Sequence, residues 1–135
     1  MNNKSLLSTL WIVLVVNFMF CDIFTLMHSE DLENLWKGSI DGVPISQGFL
    51  LTFAIVMEIP IAMILISRLL KPKPNRIINI ISGMLLAIVQ LWSLTVGNIT
   101  SHYWFFSIIE ITLCISIVVI AWRWKTGAFE SEMSD

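Results

Sequence analysis

Four apolar stretches occupy most of the sequence, and each is long enough to cross a bilayer as a helix. A hydrocarbon core about 30 Å thick needs about 20 helical residues. Hydrophobic residues make up 56% of the 135 residues and charged residues only 13%, whereas about a quarter of a soluble domain is charged. Little chain remains for a soluble catalytic domain. The sequence therefore predicts an all-α integral membrane protein, a bundle of four helices.

The predicted helices cover residues 5–27, 46–70, 76–97 and 101–124, and they form one domain over residues 1–125. The remaining residues, 126–135, are short of apolar side chains and rich in acids, which predicts a disordered tail. The loop after the first helix has an N-cap residue at Ser29 and an apolar stripe of Leu32, Leu35 and Trp36. This pattern predicts a short interfacial helix in the outer loop between helices 1 and 2.

Basic residues are concentrated on one side of this predicted bundle. Lys4, the turn at 68–76, Arg123 and Lys125 share that side, whereas the loop opposite carries several acids and only Lys37. Cytoplasmic loops carry the excess of Lys and Arg. We therefore expect both termini and the turn between helices 2 and 3 to be cytoplasmic.

An acid stands near the middle of the second stretch. Counting about 1.5 Å per residue, Glu58 lies about 18 Å from the outer end of its helix. A carboxylate at the bilayer centre costs about 3 kcal/mol on insertion scales. Ala54 and Ala62 lie one turn to either side of Glu58, whereas the other faces are large and apolar. We therefore expect Glu58 to face protein or water, and Pro60 to kink the helix beside it.

Four further polar residues fall in the outer half of the membrane or near its midplane. Asp22, Gln90, Glu110 and Asn17 come at depths of about 8, 10, 14 and 15 Å. The inner half carries little besides Asn79 and small residues. This asymmetry predicts a polar pocket that opens outward, with the loop helix as its lid. Three more residues are candidates for lining it: Trp92, Tyr103 and Cys114.

The predicted pocket holds three carboxyl groups and no Lys or Arg. Buried carboxylates cannot all stay charged without partners, so either some are protonated or the pocket holds water or a cation. Structural explanations stay open for the same residues. Asn17 and Gln90 can join helices by hydrogen bonds, Trp92 can anchor the chain at the interface, and a single acid can be a neutral hydrogen-bonding group.

Several classes of protein are disfavoured. Cys21 and Cys114, the only cysteines, lie in different helices and form no C-x-x-C pair, which argues against thiol redox chemistry. We find no metal-ligand cluster, no nucleophile with a base beside it, no patch for nucleic acid and no sign of a cofactor. The expected partners are the lipid bilayer, a cationic or amphiphilic small molecule and a second copy of the chain.

Three functions remain open. The leading hypothesis is a protein that binds or transports a cation, a cationic amphiphile or protons at Glu58 and Glu110, with Asp22 at the entrance. The second is a membrane-embedded enzyme, in which the two glutamates provide isomerase-like acid–base chemistry on a lipid-soluble substrate. The lack of catalytic motifs in the sequence makes this hypothesis less favoured than the first. The third is an accessory or immunity-type membrane protein that acts through a partner.

Three segments resemble an uncharacterised family of small bacterial four-helix membrane proteins. They are LWIVLVVNFMFCDIFTLM, SQGFLLTFAIVMEIPIAMILISRLL and FFSIIEITLCISIVVIAWRW, in helices 1, 2 and 4. The resemblance implies four membrane helices and the bacterial cytoplasmic membrane, and it implies no activity. More distantly, the chain resembles the DoxX-like four-helix group, through topology and length alone.

Overall fold

The computed structural model describes residues 2–40 and 42–125. Within them the chain forms five α-helices, bounded as follows: α1 (Asn3–Met27), α2 (Ser29–Trp36), α3 (Gln47–Leu69), α4 (Pro72–Ser93) and α5 (Ser101–Arg123). All except α2 are long and apolar enough to cross a membrane. The prediction of four membrane-length helices is therefore confirmed. The predicted disordered tail at 126–135 lies outside the described residues.

The fold is all-helical as predicted, apart from a short β-hairpin between α2 and α3 that was not predicted. Strand β1 (Ser39–Ile40) pairs antiparallel with β2 (Val43–Pro44). Gly38 precedes β1 and Gly42 precedes β2, and their φ values are 81° and 80°. These positive φ values are unfavourable for residues with a side chain, so glycine suits both positions. Before the hairpin the loop forms α2, so a short helix does follow α1 as predicted. Its N-cap is His28 and not Ser29, which is the first residue of the helix, and no side chain caps it.

Helix α4 begins earlier than predicted because its first turn contains prolines. The helix begins at Pro72 instead of residue 76, because a proline in the first turn lacks only an N–H that has no helical partner anyway. It ends at Ser93, four residues before the predicted end, and the chain then turns through Gly97 with a φ of 73°. Leu70 and Lys71 alone separate α3 from α4.

The four long helices pack as two antiparallel pairs. Helix α1 packs extensively on α3, α4 packs extensively on α5, and the pairs join mainly through α1 and α5. Helix α3 makes little contact with α4 and less with α5. We call the end where α3 meets α4 the basic end, and the opposite end the α2 end. The buried core lies toward the basic end and includes Leu7, Trp11, Leu14, Met63 and Ile117.

The small residues of α4 are used inside the chain. A Cβ built on Gly83 would lie 2.9 Å from Val118 Cγ2 and 3.4 Å from the Cys114 carbonyl oxygen. Helices α4 and α5 therefore approach as closely as the glycine allows. The sequence left open whether this face serves self-association, and the structure uses it for internal packing instead.

Candidate functional site

A chain of polar side chains joins α4 to α5 on the α2-end side of the bundle. Gln90 Nε2 donates to Ser107 Oγ at 2.8 Å, and Ser93 Oγ donates to the Gln90 carbonyl oxygen at 2.7 Å. Tyr103 Oη donates to Ser93 Oγ at 2.7 Å and also interacts with the Gln90 side chain. We call Gln90, Ser93, Tyr103 and Ser107 the glutamine cluster. Its buried members are Gln90 and Ser107, whereas Tyr103 is half-buried.

Glu110 lies one helical turn beyond Ser107, near the middle of α5. It is 1% exposed, and its Oε1 is buried without a hydrogen-bond partner in the described part of the chain. Two buried thiols lie near it, that of Cys114 on the next turn of α5 and that of Cys21 on α1. Both are close enough to interact electrostatically with the carboxyl group. No ion pair within residues 2–40 and 42–125 involves this carboxyl. A carboxyl group in these surroundings is stable as the neutral acid or beside a bound cation.

Asp22 lies close to this site without joining it. Its carboxyl group is near enough to that of Glu110 for the two to interact electrostatically, but its side chain is exposed on α1. It lines a narrow crevice of about 130 Å³ between α1 and α3, together with Phe18, Met57 and Pro60. Asp22 therefore faces a largely apolar groove at the surface of the bundle.

Glu58 takes a position opposite to the one predicted. Its side chain is exposed, and the buried residues of α3 are Pro60, Met63 and Ser67. Pro60 lies about 200° around the helix from Glu58 and Ser67 about 180°, so Glu58 points away from the bundle. The expectation that Glu58 faces the interior is wrong for the single chain. Because α3 and α5 are not packed together, Glu58 and Glu110 do not share a pocket.

Two other predicted residues also lie outside the cluster. Asn17 is half-buried, and its Nδ2 donates to the Val13 carbonyl oxygen of its own helix at 3.0 Å. Trp92 is 68% exposed on α4. Of the predicted residues, the structure therefore brings Glu110, Gln90, Tyr103 and Cys114 together, and it leaves Asp22 beside them at the surface of α1. Glu58, Asn17 and Trp92 lie apart from them.

The basic end holds a buried polar network that the sequence analysis missed. Asn79 Oδ1 accepts from Trp11 Nε1 at 2.7 Å and from Ser67 Oγ at 3.1 Å. Asn79 Nδ2 donates to Asn75 Oδ1 at 2.6 Å, and Asn75 Nδ2 donates to the Ser67 carbonyl oxygen at 2.6 Å. We call these four residues the asparagine network; all are fully buried. The expectation that this half carries little besides Asn79 and small residues left out Trp11 and Asn75, which are the other members of the network.

The asparagine network has the properties of a structural element. It joins α1, α3 and α4, and its side-chain donors have acceptors within hydrogen-bonding distance. Beside it, Ser8 Oγ donates to the Ile64 carbonyl oxygen at 2.8 Å and accepts from Arg68 Nε at 3.0 Å. A signal was present in the sequence, since Asn75 and Asn79 are spaced i, i+4 on one face. Glu110 differs because its carboxyl oxygen remains unpaired.

A polar cavity of about 300 Å³ lies at the α2 end, among α2, the hairpin turn and the loop between α4 and α5. Its lining includes His28, Glu30, Asp31, Asn34 and Thr100. His28 Nδ1 lies 3.0 Å from Asp31 Oδ2. None of the residues predicted for the pocket lines this cavity, so the predicted single acidic cavity is not formed by those residues.

Four membrane-length helices around buried polar side chains define a multi-pass helical membrane protein. The chain belongs to the family of unknown function DUF6326, which matches residues 1–131. No curated protein and no solved structure matches it.

Proposed function

We propose that this protein binds a proton or a cationic ligand at Glu110, as a membrane binding or transport protein. The observation that supports this proposal is that the Glu110 carboxyl group is almost fully buried and has one oxygen without a hydrogen-bond partner in the described part of the chain. In a bilayer such a group is neutral or is accompanied by a cation, so its charge state depends on what is bound. A proton needs no preformed cavity, and it is the occupant that this close-packed site fits best.

The glutamine cluster supports exchange between Glu110 and the α2 end. Hydroxyl groups donate and accept hydrogen bonds, and they rotate to suit their neighbours. Tyr103, at the half-buried end of the cluster, donates to Ser93, which donates to the main-chain carbonyl oxygen of Gln90. Gln90 is bonded to Ser107, one turn before Glu110. These residues form a polar strip along α4 and α5 that ends one turn from Glu110, whose Oε1 has no hydrogen-bond partner in the described part of the chain.

The orientation that we propose puts the basic end in the cytoplasm and the α2 end outside a bacterial cytoplasmic membrane. The excess of Lys and Arg at the basic end supports it. We also propose that α2 lies in the interface, because Trp36 is 90% exposed and Leu32 is exposed on the same short helix. A relation to the DoxX-like group stays a proposal, supported by four membrane-length helices in a short chain.

The enzymatic alternative depended on Glu58 and Glu110 acting as an acid–base pair. One lies on the exposed face of α3 and the other inside the bundle on α5, so neither can assist the other at a shared substrate. The alternative of a partner-dependent protein is favoured by one observation, the exposure of Glu58.

Infrared difference spectroscopy of the purified protein in lipid tests the proposal. A protonated carboxyl group has a carbonyl stretch that is absent from the carboxylate. We expect wild type to show a titrating band of this kind that is lost in Glu110→Gln and retained in the control Glu33→Gln, whose carboxyl group is exposed on α2. Tetraphenylphosphonium, a lipophilic cation, should reduce the band if a cationic ligand displaces the proton. A band unchanged by Glu110→Gln would refute the proposal.

A further inference from the structure

The lipid-facing side of α3 carries a carboxyl group that the fold leaves without a partner. We call six residues on this side the α3 stripe: Leu51, Ala54, Ile55, Glu58, Ile61 and Leu65. All are exposed, and they recur at helical spacing around Glu58. No hydrogen bond or ion pair within residues 2–40 and 42–125 involves the Glu58 side chain.

At the depth of Glu58, a single chain in lipid leaves the carboxyl group without a hydrogen-bond partner. Glu58 is the twelfth of the 23 residues of α3, so it lies near the helix centre. Its side chain is too short to reach either interface from there, unlike the long Lys and Arg side chains that can do so from helix ends. Hydrocarbon offers no hydrogen-bond partner. A group outside this chain must therefore supply one.

A second copy of the chain can supply the hydrogen-bond partner for Glu58, and no other molecule is then needed. An isologous two-fold interface brings residues near its axis against their own equivalents. A protonated carboxyl group is both a donor and an acceptor, so two Glu58 side chains can satisfy each other with two hydrogen bonds. Ala54 on one side and the half-exposed Ala62 on the other leave room for two helices to approach at this level.

Two features of the molecule favour this arrangement over others. The basic residues at one end give every copy the same orientation in the membrane, which makes the association parallel. The small-residue face of α4 is already packed against α5 around Gly83, so it is not available to a partner. We propose that two copies of this chain associate in parallel through the α3 stripe, with their Glu58 side chains paired at the two-fold axis.

Cysteine cross-linking of the full chain in liposomes tests which face is shared. Leu51→Cys and Leu65→Cys lie on the α3 stripe, and Ile81→Cys on α4 is the matched control, since Leu51 is 63% exposed and Ile81 is 61% exposed. The native cysteines are buried, so wild type measures the background. We expect mild oxidation to produce disulfide-linked dimers from both α3 variants and none from Ile81→Cys. Equal cross-linking at Ile81→Cys, or none on α3, would overturn the proposal.

Energy transfer between separately labelled copies, measured while lipid dilutes the protein, tests the role of Glu58. Interhelical hydrogen bonds in membranes contribute modestly, so we expect Glu58→Leu to weaken association about tenfold. Glu58→Gln keeps a donor and an acceptor and should weaken it about threefold or less. Both substitutions are on the lipid-facing side and leave the core intact. Association unchanged in Glu58→Leu would exclude the carboxyl pair.

Two further outcomes would also overturn the proposal. A wild-type chain that stays monomeric at every protein-to-lipid ratio has no such interface. A disulfide from Leu51→Cys to a different polypeptide would assign the stripe to another partner. The proposal is independent of the proposed function, because the infrared test depends on Glu110 and the association test on Glu58, which lie on helices that are not packed together.

Discussion

Replacing Asn79 by leucine should destabilise the bundle more than any single hydrogen bond suggests. Its side chain is bonded to three others, those of Trp11, Ser67 and Asn75. Such bonds in membrane proteins average about 0.6 kcal/mol each, so three account for about 2 kcal/mol. The buried indole N–H then lacks an acceptor, at a cost of about 1 to 3 kcal/mol. We expect the free energy of unfolding to fall by about 3 to 5 kcal/mol.

Reversible unfolding in mixed micelles, titrated with denaturing detergent, measures this free energy for wild type and variants. A double-mutant cycle of Asn79→Leu with Trp11→Phe isolates the bond between the two side chains, because phenylalanine keeps an aromatic ring but has no N–H. We expect a coupling energy of about 1 kcal/mol. Thr112→Val is the control, since that exposed hydroxyl donates only within its own helix, to the Ile108 carbonyl oxygen at 2.7 Å.

The reasoning would be refuted by either of two results. One is a coupling energy indistinguishable from zero, which would mean that the short distance between Trp11 Nε1 and Asn79 Oδ1 contributes nothing to stability. The other is a cost for Asn79→Leu no greater than that for Thr112→Val. In that case the asparagine network would be a consequence of helix packing and not a cause of it.

Two more predictions concern close packing and the water-exposed loop. Gly83→Ala puts a Cβ 2.9 Å from Val118 Cγ2, and overpacking of this kind should lower the free energy of unfolding by about 1 to 3 kcal/mol. The control is Gly48→Ala, whose Cβ meets nothing nearer than 3.9 Å and should cost nothing in the same unfolding assay. Lys37 lies 2.6 Å from Glu33 and holds the pKa of Glu33 below its ordinary value through a hydrogen bond and its charge. Lys37→Met should raise that pKa, so Glu33 would take up a proton at a higher pH; an unchanged NMR titration of the Glu33 carboxyl would contradict this.

The helices were predictable because hydropathy and length depend on each residue by itself. Apolar runs locate the four membrane-length helices without any knowledge of packing. The start of α4 was misplaced because Pro72 and Pro74 look like a turn in sequence, although proline is well suited to a first helical turn. The hairpin was missed because strands of two residues have no periodicity to detect.

The candidate site was only partly predictable, since the sequence does not show which way a helix faces. The spacing of Ala54, Glu58 and Ala62 puts the three residues on one side of the helix, but it does not show whether that side faces the other helices, and Glu58 is exposed. The bond between Gln90 and Ser107 joins two helices, and no pattern within either helix reveals it. Trp11 was overlooked for the same reason, because its acceptor lies 68 residues away on α4.

The pairing of the long helices has a consequence for how the chain is made. Synthesis proceeds from the N-terminus, so α1 and α3 can settle as a hairpin in the bilayer before α4 leaves the ribosome. Trp11 then has no acceptor, because Asn79 belongs to the second hairpin, and hydrocarbon provides none. Docking of the second hairpin through α5 and α4 completes that bond. An unpaired indole N–H therefore distinguishes a half-assembled chain from a finished one.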